Sequence, residues 1–596
     1  MYQTFDVTAR PEQGPPRLAR LRDELQRETL DGFLVPRADA HQGEYVSEHD
    51  ARLAWLTGFT GSAGFCAALR DIAGVFVDGR YRTQVKAQVA DDFTPVPWPD
   101  IRLADWLLEK LPDGGRVGFD PWLHTVGEVD GWAKVLAKTS VEMVQCENLV
   151  DRIWEDQPAS PMAPVLPHPI EFAGESAADK CTRLAKVLRQ AKHRAAVITQ
   201  PDSIMWLLNI RGSDIPRNPV AQGFAVLHDD GRVDLFMAMV KLAGLGGHLG
   251  DQVTVQDPAR FLDVLGALTG PVRLDRGTAP QKLADVLGAA VVFADDPCAL
   301  PKARKNAAEI AGSAAAHLRD GAAVVELLAW LDDQDPGSIS EIDVVTQLEA
   351  RRQRDNALRD ISFDTIAGTG ANGAIMHYRV SEESNSVLRE GDLLVLDSGG
   401  QYLDGTTDIT RTIPIGPVGD TERAAFTRVL QGMIAMSQLR WPKGFAGRDI
   451  EAIGRAPLWR AGQDFNHGLG HGVGAYLSVH EGPQRLSRVS SVPLEPGMIL
   501  SNEPGYYREG AFGIRIENLI VVEEAPALPD GDAEREMLHW RTLTFAPIDR
   551  RLIVIDMLSA DERTWIDAYH AEVREKIGGH LGKSAKLWLD AATAPL

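Results

Sequence analysis

The segments WLTGFTGS (55–62) and WLLNIRGS (206–213) match at Trp-Leu, at an apolar residue (Phe59 or Ile210) and at Gly-Ser, all at one constant offset. Each follows an Arg/Leu-rich helical stretch and then a short apolar strand: RLARLRDELQ before DGFLVP, and RLAKVLRQAK before AAVIT. Eight positions alone could match by chance. Helix, strand and motif in the same order twice predict instead two copies of one α/β layered unit.

Proline marks where the copies part. Pro158, Pro161, Pro164, Pro167 and Pro169 fall in one short run, which can be neither helix nor central strand and favours extended chain. A second break lies around Pro297 and Pro301. Beyond it Ile310, Ala314, Leu318, Val324, Leu327, Leu328 and Leu331 recur at roughly helical spacing. The expected domains are therefore 1–158, 159–300 and 301–596. At roughly 100–200 residues per domain, a chain of 596 residues accommodates them.

Composition narrows the partners. The 62 Lys and Arg against 84 Asp and Glu leave a formal charge of −22, which repels nucleic acid and anionic membrane where no basic patch intervenes. The sequence shows no such patch. Four cysteines without a CxxC pair exclude a disulfide scaffold and a thiolate zinc site, and suit a reducing compartment. The first residues lack the apolar core of a secretory leader, and no run approaches the ~18 apolar residues of a membrane span. The expectation is a soluble cytoplasmic protein.

The chemistry concentrates in the last third. LLVLDSGGQYLDGTTDITRT holds two strand-like runs, 393–397 and 406–412, around a Gly-rich connection. If they pair as a hairpin centred between Tyr402 and Leu403, Asp397 and Asp408 stand directly opposite on one face. Two buried, facing carboxylates repel, and a divalent cation between them removes the penalty. A solvated hairpin with two exposed acids is the alternative, though LLVL is very apolar for an exposed strand.

HGLGHGVGAYLSVHEGP follows. Gly468, Gly470, Gly472 and Gly474 argue against a helix through His467 and His471 and allow close backbone approach. His480 stands beside Glu481. Imidazole here suits a ligand or an acid–base, with a structural role for these histidines as the alternative. Glu503 ends an apolar run and precedes Pro504, which stops ladder pairing. FGIRIENLIVVEE alternates as one strand, with Arg515 and Glu517 on one face; a simple ion pair at a strand end would explain these two equally well. Together Asp397, Asp408, His471, Glu503 and Glu517 offer four carboxylates, whose charge two divalent cations balance. One imidazole among oxygens suits Mn²⁺, with Co²⁺ or Zn²⁺ as alternatives, and not a closed structural zinc site.

The order Asp, Asp, His, Glu, Glu resembles the dinuclear pita-bread metallopeptidases. GAIMHY, GHGVGAYLSVHEGP, SNEPGYY and IRIEN, with DAHQGEYV, FTGSAG, VDGRY and TLTFAPIDRRLI, are similar to the long three-domain Xaa-Pro aminopeptidase family, from about residue 15 to 585. The resemblance implies a mixed α/β and α+β chain: two tandem creatinase-like α/β domains, then a pita-bread catalytic domain. It implies two divalent metal ions, with Asp397 bidentate on one, Asp408 and Glu517 bridging, and His471 and Glu503 completing the other site. It makes His377, His467 and His480 the non-ligand histidines around the substrate, sets Arg515 behind Asp397 or a neighbouring carboxylate, and places Tyr507 nearby. It implies a homodimer and an attack by metal-bridging hydroxide on the Xaa-Pro bond of peptides with Pro at position two, Glu503 moving the proton. Prolidase is the competing reading, disfavoured by the tandem repeat. A catalytically dead binding module is disfavoured by the intact ligand set.

Overall fold

Phe33 and Val35 of the strand Gly32–Pro36 pack with Leu21 and Leu25 of the helix Gly14–Arg27, while Leu34 faces Trp106 and Leu107 of the helix Leu103–Lys110. This strand is thus buried on both faces, as the middle of an α/β layer must be. The computed structural model describes residues 1–532 and 534–596. They divide into one unit of Thr8–Leu300 and another of Met1–Val7 with Pro301–Leu596.

The Thr8–Leu300 unit holds two six-stranded sheets of one design. The first runs Phe93–Pro97, Ala73–Val77, Phe65–Leu69, Gly32–Pro36, Gly115–Phe119, Val141–Gln145. The second runs Val253–Gln256, Val233–Phe236, Phe224–His228, Ala195–Ile198, Val272–Leu274, Val291–Phe293. In each, the outer pairs are parallel and the two pairings inside the first three-strand turn are antiparallel. The duplication read from the motif is therefore a duplication of topology. Trp55 and Trp206 lie in the equivalent helices Arg52–Thr57 and Pro201–Leu208, which end at Gly58 (φ 85°) and Asn209 (φ 51°). Both caps are left-handed, and Gly and Asn are the residues that tolerate this conformation at a helix end. The Gly-to-Asn mismatch between the two copies thus preserves the backbone.

The other unit is α+β. The predicted helix after the second break spans Ala307–Asp332, and Asn306 caps it with Glu309 in a reciprocal capping box. A six-stranded sheet carries Gly470–Gly472, Ile499–Asn502 and Asn518–Glu524 at its heart. A three-stranded sheet places Leu393–Ser398 between Ile366–Thr369 and Ile409–Pro414. Met1–Val7, grouped by the sequence with residues 8–158, belongs to this unit: Gln3 exchanges hydrogen bonds with the Thr365 backbone (2.7 and 3.3 Å), and Glu382 N–H donates to Phe5 O at 2.9 Å. No helix among the described residues is long and apolar enough to cross a membrane.

Two local expectations need correction. The hairpin register pairs Asp397 with Thr410, and Tyr402 with Gly405, so the turn is centred between Leu403 and Asp404, one residue later than expected. Asp397 and Asp408 are diagonal rather than opposed. They keep one face, because Thr410 and Asp408 are two apart. FGIRIENLIVVEE is two strands, Phe512–Arg515 and Asn518–Glu524, paired to different partners. Glu517 sits in the break, bridged only to Thr410.

Candidate metal centre

The broken strand turns Glu517 toward the hairpin. Its N–H donates to Thr410 O at 3.1 Å, and its Oε2 accepts from Thr410 Oγ1 at 2.7 Å. Asp408, just before the strand Ile409–Pro414, and His471, at the centre of Gly470–Gly472, complete a group whose ligand atoms all lie within 4.8 Å of one another. His471 Nε2 is 3.4 Å from Asp408 Oδ2 and 3.5 Å from Glu503 Oε1. Glu503 follows the strand Ile499–Asn502 and accepts from Ser501 Oγ at 3.2 Å.

Each neighbour sets an orientation. His471 Nδ1 lies 3.0 Å from the Gly472 carbonyl, which can only accept. That places the ring proton on Nδ1 and leaves the Nε2 lone pair toward the carboxylates, the arrangement seen in metal-binding imidazole. The backbone N–H of His471 donates to Ser501 Oγ at 2.9 Å. Gly470 must be glycine: a Cβ there would stand 1.9 Å from Ser501 O. The close approach expected from the glycines is thus what seats His471 on the neighbouring strand.

Asp397 enters from the first hairpin strand, Leu393–Ser398. Its Oδ2 accepts from Arg515 Nη2 at 2.7 Å. Arg515 Nη1 donates to the Tyr507 hydroxyl at 2.6 Å, and Tyr507 donates in turn to His467 Nε2 at 2.9 Å, the His467 Nδ1 proton being committed to Gly468 O at 2.7 Å. His467 is thereby wired to Asp397 through two intermediates. The His480 ring stands edge-on to His471, with centroids 4.2 Å apart. His377 is half-buried in the turn after Gly370–Ala374, a short helix packed on the strand Phe512–Arg515.

The sequence reading missed the anchor of the residue that follows His480. Glu481, fully buried, pairs with Lys302 at 3.1 Å and with Lys305. Both lysines lie far away in sequence, so no local signal announces them.

The electrostatics call for cations. Asp397 Oδ1, Asp408 Oδ1 and Glu517 Oε1 are buried without a hydrogen-bond partner among the described residues. Burial and the neighbouring Asp397 and Glu503 charges push Asp408 well above the ordinary carboxylate range. Burial with Asp408 and Asp397 does the same to Glu517. Burial, then the Glu517 charge, raises Glu503 to about 7. Carboxylates gathered this closely are costly alone and well matched to hard divalent cations. The residues present fit such ions.

Fold and site together define a metallohydrolase of carboxylate–histidine type. Residues 308–524 match metallopeptidase family M24, and 536–596 match the C-terminal region of that family. Residues 17–153 and 156–309 each match a creatinase/prolidase N-terminal domain. A probable Xaa-Pro aminopeptidase P of Talaromyces marneffei is 39% identical, across 97% of this chain and 92% of its own. Aminopeptidase P2 of Arabidopsis thaliana is 37% identical, across 95% and 86%. The crystal structure of X-prolyl aminopeptidase from Caenorhabditis elegans, a cytosolic enzyme with a di-nuclear active site, superposes with a TM-score of 0.94 at 32% identity, covering 98% of this chain and 100% of that one. The chain belongs to the M24 metallopeptidases, in the aminopeptidase P branch with two creatinase-like N-terminal domains and a pita-bread catalytic domain.

Proposed function

We propose that this chain is a dinuclear metal-dependent aminopeptidase that releases the first residue of peptides with Pro at the second position. The reading rests on the convergence of Asp408, His471 and Glu517, with Glu503 beside them, in a chain similar along nearly its whole length to proteins named Xaa-Pro aminopeptidase P. Domain boundaries near 158 and 300, with Met1–Val7 joined to the last domain, a cytoplasmic location and a homodimer are parts of the same reading.

Asp397, Asp408, His471, Glu503 and Glu517 would hold two divalent cations; Mn²⁺ is favoured by the oxygen-rich set, with Co²⁺ and Zn²⁺ as alternatives. When bound, the cations make water a nucleophile at neutral pH and polarise the scissile carbonyl. Glu503 accepts the proton of the attacking water and delivers it to the leaving proline nitrogen. His480 donates to the developing oxyanion. Asp397, fixed by Arg515, receives the free α-amine and so measures one residue from the N-terminus. His377 and His467 border the substrate. The Xaa-Pro nitrogen carries no hydrogen and offers no donor contact, so recognition falls on the shape of the pyrrolidine ring.

Metal analysis of the purified protein beside cleavage of Arg-Pro-Pro, Gly-Pro and Gly-Ala tests this. Arg-Pro-Pro should be cut after its first residue at least as well as Gly-Pro, with Gly-Ala poor because the ring pocket is underfilled. A dipeptidase pairs the substrate's C-terminal carboxylate, and longer peptides leave that partner unpaired at a cost of a few kcal/mol. Turnover of dipeptides alone would make prolidase the better reading.

A further inference from the structure

One buried ion pair grips the hairpin that carries Asp397 and Asp408. Asp320, on the helix Ala307–Asp332, and Arg352, the last residue of the helix Glu341–Arg352, meet through two bonds: Nε to Oδ1 at 2.6 Å and Nη2 to Oδ2 at 2.9 Å. Their exposures are 0% and 2%. Arg352 also donates to Ser398 Oγ at 3.0 Å and to Gly399 O at 3.3 Å. Asp320 accepts from Thr407 Oγ1 at 2.9 Å and from the Tyr402 hydroxyl at 2.8 Å.

The chain positions are the point. Ser398 directly follows Asp397, and Thr407 directly precedes Asp408. The arginine therefore holds one strand and the aspartate the other, each one residue from a carboxylate of the centre. Ser362 Oγ, donating to Thr407 O at 2.9 Å, and Gly400 N–H, donating to Thr407 Oγ1 at 2.9 Å, close the same junction. A buried ion pair adds little net stability over apolar residues of equal volume, so stability alone does not account for it. What the pair does supply is fixed geometry, and a metal constellation works only when held to within about 0.5 Å.

We propose that Asp320 and Arg352 are positioning residues of the metal centre, which set the separation of Asp397 and Asp408 and thereby the joint binding of two cations. This rests on the reading of those aspartates as ligands. Neither residue touches substrate; both act through the hairpin.

The test is a Co²⁺ titration followed by visible absorption and by bound-metal stoichiometry, on the full chain. The double variant Asp320→Leu/Arg352→Met removes both charges together, which leaves no unpaired ion in the interior. With a circular-dichroism spectrum and urea midpoint close to wild type, it should take the first cation normally and the second about 10–100-fold more weakly. Thr407→Val should weaken the second cation in the same sense, and Thr407→Ser, which restores the hydroxyl, should recover it. Two cations bound with wild-type affinity by the folded double variant, or by Thr407→Val where the double variant does not fold, would overturn the proposal. A wild-type protein that takes fewer than two cations would instead remove the two-metal reading beneath it.

Discussion

Arg515 and Asp397 form a buried ion pair, Nη2 to Oδ2 at 2.7 Å, while the other oxygen of the same carboxylate is buried without a partner among the described residues. One oxygen of the carboxylate is thus committed to a fixed guanidinium of the protein, and the other is the one that would meet a metal ion. The guanidinium fork also reaches Tyr507 at 2.6 Å. Lysine offers a single point of charge and cannot span both. Arg515→Lys should lower metal affinity or turnover about 10–100-fold, read by calorimetric Mn²⁺ titration beside kcat. Unchanged values in both would deny Arg515 any part in orienting Asp397.

Asp408→Ala removes one of the three residues, with His471 and Glu517, whose ligand atoms gather within 4.8 Å of one another. Bound metal should fall below the wild-type stoichiometry and activity should be abolished, since the nucleophile and the ion go together. Full occupancy with near-normal turnover would sink the assignment.

His480→Ala should separate the two effects. The His480 ring stands against His471, and its proposed role is to stabilise charge that appears in the transition state. Metal content should hold while kcat falls about 10²–10³-fold. Metal loss would make His480 a ligand.

The acids of the metal-free site give a pH dependence. Glu503 is raised to about 7 by burial and then by Glu517, and Asp408 and Glu517 are likewise held well above the ordinary carboxylate range by burial and their neighbours' charges. A carboxyl raised in the folded state is at ease protonated, so the metal-free fold loses stability as pH climbs from the ordinary carboxylate range through about 7. Cation binding must expel those protons. Mn²⁺ uptake should release more protons at about pH 6 than at about pH 8, seen by calorimetry in buffers of different ionisation enthalpy, and the metal-induced rise in Tm should be larger at the higher pH. Equal proton release would mean that the acids are already ionised.

Glu481→Gln should act on the fold. It takes from Lys302 and Lys305 the buried carboxylate they share, and breaking a buried ion pair typically costs about 3–5 kcal/mol. Urea unfolding of the metal-loaded protein measures it, and a loss under about 1 kcal/mol would show that water or another group takes over.

Candidate site residues stood out in the sequence where a local irregularity marked them: Glu503 by Pro504, and His471 by flanking glycines, one of which the backbone requires. The hairpin register was not. QYLDGTT carries turn-forming residues at several neighbouring positions, and Gly405 proves to be a ladder partner of Tyr402 rather than part of the turn. The break at Glu517 was hidden because Phe512–Arg515 and the first five residues of Asn518–Glu524 are buried on both faces, so alternation continues smoothly through it. Asp320, Arg352, Lys302 and Lys305 left no local signature, since their partners lie tens to hundreds of residues away.

The docking of Met1–Val7 with residues 301–596 gives this chain a timetable. Gln3 and Phe5 leave the ribosome well before their partners at Thr365 and Glu382. At about 5–20 residues per second, those partners emerge roughly 20–80 s later. During that interval the segment waits while Thr8–Leu300 is made, so one unit is synthesised in two instalments with the whole of the other between them.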